Sequence, residues 1–214
     1  MFIGHHAIAF AAKKVAPKTS LGTLFVAVQF LDLLWPIFLL LGLEHFRIEP
    51  GITVVSPLNL YDYPISHSLV GALLWSLLLG GLYFVVKRHA GSAAIVGAAA
   101  FSHWILDFIT HRPDMALSFS STTYVGLGLW NSLAGTLIVE IGLFVVGVIV
   151  YVRATTPKDR IGTYGWWSFV AFLLVMYVAS IFGPPPPNEN MIAVGGMPAG
   201  CSSCGRGGST AIER

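Results

Sequence analysis

The sequence predicts an all-α protein, a polytopic bundle of about five transmembrane helices with a short additional helix ahead of them. Three observations carry that prediction. Of 214 residues, 55% are hydrophobic and only 10% charged, against about 25% charged in soluble domains; mean hydropathy is +0.75. Five apolar stretches approach or exceed the roughly 20 residues a helix needs to cross the hydrocarbon. Basic residues collect in alternate connections. Helix is the expected form because a lone strand leaves backbone groups unpaired in lipid. The length fits one membrane domain, residues 1–182. A net charge of +2, with no basic stripe bearing stacking aromatics, argues against nucleic acid as a partner and leaves membrane lipids.

The expected spans are residues 20–43, 66–86, 91–110, 127–152 and 165–182, the last being the shortest. The first is too long for the roughly 7–15-residue core of a signal peptide and is expected to be retained. Lys13, Lys14 and Lys18 precede it, Lys87 and Arg88 follow the second span, and Arg153, Lys158 and Arg160 follow the fourth. The positive-inside rule makes that side cytoplasmic, with the N-terminus in and the C-terminus out. Residues 44–65 are long enough for a short lid over the outer face. Residues 183–214, with four prolines at 184–187, have the composition of a disordered tail. It carries Cys201 and Cys204, a C-x-x-C without a partner motif, for which an outside location allows a disulfide.

Residues 1–16 form an apolar segment ending in Lys13-Lys14, broken by Pro17. It is either an amphipathic helix lying flat at the interface or a re-entrant arm entering the bundle.

Ionisable groups inside a span are costly, about 2.5–3.5 kcal/mol on insertion scales, and mark candidate functional sites. Asp32, His67, His103, Asp107, His111 and Glu140 qualify. His103, Asp107 and His111 follow one another at i, i+4 on one helix face. The first two are close enough to chelate one ion. His103 and His111 are about 12 Å apart along the axis, which leaves His111 as a supporting, substrate-contacting or second-metal residue. Ser66 is the expected cap of the second span. His45 and His89 read as loop histidines, and His6 as a weaker candidate than His5. Ala93/Gly97 and Ala94/Ala98 give the small-xxx-small spacing of a tightly packed helix.

The helical rise sets the depths. From a turn near Lys18, Asp32 lies about 20 Å up, and so does His5 if the N-terminal segment is a hairpin arm. His103 and Glu140 come at about 18 Å, Asp107 at about 24 Å and His67 near 28 Å. His5, Asp32, His103 and Glu140 then share one polar layer, with Asp107 and His67 just above it and the pocket opening outward. Imidazole and carboxylate donors suit zinc, manganese or iron rather than calcium. A catalytic zinc keeps three protein ligands and one open position, and lowers the pKa of bound water to near 7. Asp107 and Glu140 are the candidate catalytic carboxylates, as general base or in orienting a histidine.

The same residues resemble a family pattern. Gly4-His5, Asp32 within Phe30-Leu31-Asp32-Leu33, Ser66-His67-Ser68 and the His103–Asp107 pair resemble, over roughly residues 3–114, the motifs of the YdjM-type membrane-bound metal-dependent hydrolases of bacterial and archaeal inner membranes. Serine stands where the family has threonine before His67, and Asp32 stands alone where the family has an acidic pair or an Asp-His pair. The resemblance implies a metal-dependent hydrolase of the inner membrane; a lipid or lipid-linked ester or phosphoester is the substrate that suits a pocket at lipid depth. Two other classes use the same polar layer: a small metal-ion or proton transporter, and a structural subunit whose buried polar groups fix helix pairing.

Overall fold

The computed structural model describes residues 1–185, 187–189 and 191–192. It is an all-α bundle with two small β-hairpins at one end. The helices in chain order are α1 (Ile3–Val15), α2 (Leu21–Val28), α3 (Phe30–Leu40), α4 (Pro64–His67), α5 (Leu69–Lys87), α6 (Ala90–Thr110), α7 (Leu133–Ala154) and α8 (Arg160–Phe182). Strands β1 (His45–Ile48) and β2 (Leu58–Asp62) pair antiparallel, as do β3 (Met115–Ala116) and β4 (Tyr124–Val125). Helices α5, α6, α7 and α8 are each long and apolar enough to cross a membrane. Their outward faces fit that solvent: Leu74, Leu77, Leu78, Leu82 and Val85 of α5 and Ile138, Val145 and Val146 of α7 are exposed. In water such surfaces would mark association sites.

The first expected span is not one helix. Helices α2 and α3 meet at 53° across Gln29, a broken span that becomes the fifth crossing only if both halves are counted together. The break exposes backbone carbonyls inside the bundle, which is tolerated where protein groups satisfy them. Other boundaries move for local reasons. Ser68, not Ser66, caps α5, accepting from Gly71 N–H, and the single turn α4 precedes it. Helix α7 begins at Leu133 rather than near 127 because Gly128 adopts a left-handed conformation (φ 72°) and Ser132 restarts the helix as its cap. Asp159 caps α8 and extends it toward the chain's start. His89 caps α6, its Nδ1 accepting from Ser92 N–H.

Helix α1 lies inside the bundle rather than flat on a surface: Ile3, His5, Ala9 and Phe10 are fully buried. Its closest approach is to α7, where Gly147 faces the backbone of Ala7. The turn after it is tied down by Lys13 Nζ, which donates to the carbonyls of Pro17 (2.8 Å) and Thr19 (2.7 Å). Thr19 meets Tyr83 of α5 at 3.1 Å, so the Lys13–Lys18 turn sits at the same end as Lys87 and Arg88. Met1 lies at the other end of α1, beside Asp107. The basic end of the bundle is therefore marked by that turn and not by the first residue. Helices α5 and α6 cross closely at Gly80 and Gly97, which extends the small-residue pattern seen in α6.

The segment between α3 and α4 is the β1–β2 hairpin. Phe46, Leu60 and Tyr63 pack there with Leu31, Trp104 and Met115, so the segment roofs one end of the bundle. Residues 193–214, including Cys201 and Cys204, lie outside the described residues.

Candidate metal centre

Three elements converge under the hairpin. Asp32 sits in the first turn of α3, His67 ends α4 and His103 lies in α6. Asp32 Oδ1 is 3.4 Å from His67 Nε2 and 3.5 Å from His103 Nε2. Donors bound at about 2.0–2.1 Å in a tetrahedral shell stand about 3.3 Å apart, so these separations match a first coordination shell. The three residues each offer one donor atom within 4.8 Å of the others.

The histidine ring protons follow from their partners. His103 Nδ1 is 2.7 Å from the Val28 carbonyl, and a carbonyl only accepts, so Nδ1 carries the proton. Nε2 is then the nitrogen left to face the carboxylates. It lies 3.0 Å from Asp107 Oδ2 and 3.5 Å from Asp32 Oδ1, yet it makes no aligned hydrogen bond to any neighbour. Such a position suits a ring proton or, in its place, a bound cation. The break at Gln29 supports this arrangement, because Val28 belongs to the last turn of α2, where carbonyls lack helical partners. His67 is held similarly. Its Nδ1 is 2.7 Å from Ser66 Oγ, and that hydroxyl donates to Glu44 Oε2 at 2.7 Å. Having given its only proton to Glu44, the hydroxyl accepts from His67 Nδ1–H, so Nε2 faces Asp32. Metal-binding histidines are characteristically oriented in this way through the second ring nitrogen.

Asp107 organises the opposite side. Its Oδ1 accepts from the Met1 α-amino group (2.7 Å) and from His5 Nε2–H (3.1 Å). The His5 ring stacks on His103 with centroids 3.9 Å apart. His5, His103 and Asp107 form a second, fully buried set of donors. The two sets share His103, which has one free nitrogen, so at most one ion can use it at a time. The Asp32 set is the one open to a cavity. His6 turns away, its Nδ1 facing the Phe2 carbonyl and its ring packing near Phe25. His45 pairs with Asp62 in the exposed hairpin.

His111 lies against Asp107, as the i, i+4 spacing on one face expects. The helix ends at Thr110, and His111 is its C-cap with an extended backbone (φ −67°, ψ 147°). The side chain returns so that Nε2 is 4.0 Å from Asp107 Oδ1. Its Nδ1 is 3.2 Å from Asp114 Oδ1, which also accepts from Tyr63 Oη at 2.9 Å. Burial, with the Asp114 carboxylate beside it, holds the Tyr63 phenol well above its ordinary pKa, so it stays a donor. Glu140 has a structural employment: its Oε2 accepts from the backbone N–H groups of Phe2 (2.8 Å) and Gly4 (3.4 Å). It thereby caps α1 from α7 and places negative charge at a helix N-terminus.

A cavity of about 580 Å³ opens beside these groups. Asp32, His67, Asp107, His111 and Glu140 are its ionisable carboxylates and imidazoles, and Trp35, Pro36, Leu58, Leu60, Ile181 and Ile192 are among its apolar walls. The described lining contains no lysine or arginine. Sequence reasoning missed Glu44, Tyr63 and Asp114. Buried His and Asp groups that could hold a metal ion are thus present in a bundle of membrane-length helices. Comparison with family models, curated proteins and solved structures gives no match to the chain.

Proposed function

We propose that this chain is an integral membrane metal-dependent hydrolase of the YdjM type, acting on a lipid or lipid-linked ester or phosphoester. The carrying observation is the Asp32–His67–His103 set: three donors from three helices, both histidines oriented through Nδ1, on the edge of a largely apolar cavity. Three protein ligands with an open fourth direction is the pattern of a catalytic rather than a structural zinc site. Zinc suits the donors best, with manganese and iron as the other candidates. A bound ion would supply Lewis acidity and a water acidified toward pH 7.

The chain's own residues do the rest. Asp32, His67 and His103 hold the ion. Asp107 and Glu140 are the cavity carboxylates able to take a proton from an attacking water, and Asp107 is well placed, with Oδ2 3.9 Å from His67 Nε2. His111 faces the same space and is the candidate to contact the leaving group. His5 locks α1 against His103. The apolar walls accept hydrocarbon and exclude water. With no lysine or arginine in the described lining, the charge of a phosphoester falls to the ion and the histidines. The basic end of the bundle is assigned to the cytoplasm, which places the cavity toward the outer side of the inner membrane.

Purified protein in lipid–detergent micelles is expected to cleave a long-chain ester or phosphoester, to stop on chelation and to recover on zinc addition. Metal flux into proteoliposomes without any turnover would instead favour a transporter.

A further inference from the structure

Glu44 lies just beyond α3, in a segment where carboxylates are ordinarily solvated, yet it is 1% exposed. Burial raises its pKa, against the hydrogen bonds from Ser66 that lower it. Burying a carboxylate without compensation is costly, and among the described residues no lysine or arginine pairs with it. Its partner is a single residue. Ser66 N–H donates to Oε1 and Ser66 Oγ–H to Oε2, both at 2.7 Å. The same hydroxyl stands 2.7 Å from His67 Nδ1. A buried chain therefore runs from Glu44 through Ser66 to His67.

We propose that Glu44 is a positioning residue for the metal-binding His67, acting through the Ser66 hydroxyl to fix the ring's tautomer and direction. This rests on His67 being a ligand. The hydroxyl has one proton, and the carboxylate takes it, so the serine oxygen accepts from His67 Nδ1–H. That leaves Nε2 directed at Asp32 and the cavity. Carboxylate partners of this kind also make a ligand imidazole more basic. His103 is oriented by the neutral Val28 carbonyl, so within the Asp32–His67–His103 set the carboxylate relay is peculiar to His67. Ser66 thus serves the histidine beside it rather than the helix that follows.

Two measurements on detergent-purified full-length protein test this. In the metal-free wild type, the ring-nitrogen shifts of ¹⁵N-labelled histidine should show His67 protonated at Nδ1; a bare Nδ1 would overturn the proposal. Zinc affinity, measured against a competing chelator, should fall about 10–100-fold in Glu44→Gln and Ser66→Ala, and Ser66→Thr, which keeps the hydroxyl, should restore it. Wild-type affinity in folded Glu44→Gln and Ser66→Ala overturns the proposal while leaving the metal site standing. A wild type that binds no zinc overturns both.

Discussion

Gly147→Leu is expected to expel α1 from the bundle and to disorganise the polar layer with it. A Cβ at Gly147 would stand 2.6 Å from the Ala7 carbonyl oxygen and 2.7 Å from its Cα, and backbone cannot swing aside as a side-chain end can. Overpacking typically costs about 1–3 kcal/mol, and a leucine against backbone belongs at the upper end. The loss does not stay local. Displacing α1 withdraws His5 from His103 and the Met1 amine from Asp107, and removes the N–H groups that Glu140 caps. Thermal unfolding in detergent should show a lowered midpoint, and zinc affinity should fall as well. Gly142→Leu, where a Cβ meets nothing within 4 Å, should leave both unchanged.

Asp32→Ala is expected to weaken metal binding on the order of a hundredfold while leaving the metal-free fold intact. The side chain is 42% exposed, and its close charged partners are the Nε2 atoms of His67 and His103. An isolated, partly exposed ion pair contributes about 0–1 kcal/mol. A ligand contributes far more: zinc affinities of about 10–16 kcal/mol shared among four ligands give roughly 3 kcal/mol each, on the order of a hundredfold in affinity. Metal titration and thermal unfolding of the metal-free protein separate the two roles. A large stability loss with unaltered metal affinity would make Asp32 a helix-pairing residue.

Much of the bundle was legible because hydropathy is additive along the chain. Residues 91–110 match α6 within a residue, and the i, i+4 spacing correctly set His103 beside Asp107, now 3.0 Å apart. Helical rise also anticipated that His5, Asp32 and His103 share one level. What was illegible depends on breaks and on tertiary contact. The bend at Gln29 lies within a run that Gln29 and Asp32 alone interrupt over residues 24–41, with no glycine or proline at the bend itself. Strand β2 carries a weak alternating signal, Leu58-Asn59-Leu60, with Leu60 buried. Glu44 gave no signal at all, since its burial exists only once the β1–β2 hairpin and α4 close over it.

Elemental analysis of the protein purified in detergent, wild type beside His103→Ala, bears on the whole proposal. His103 belongs to both sets of buried donors, and its free nitrogen is the unsatisfied atom between them. The wild type should carry close to one equivalent of a divalent transition metal, zinc foremost, and His103→Ala should carry little. A wild type with only trace metal, or a variant that keeps the full complement, would contradict the metal centre and leave the His–Asp layer as a device for pairing helices.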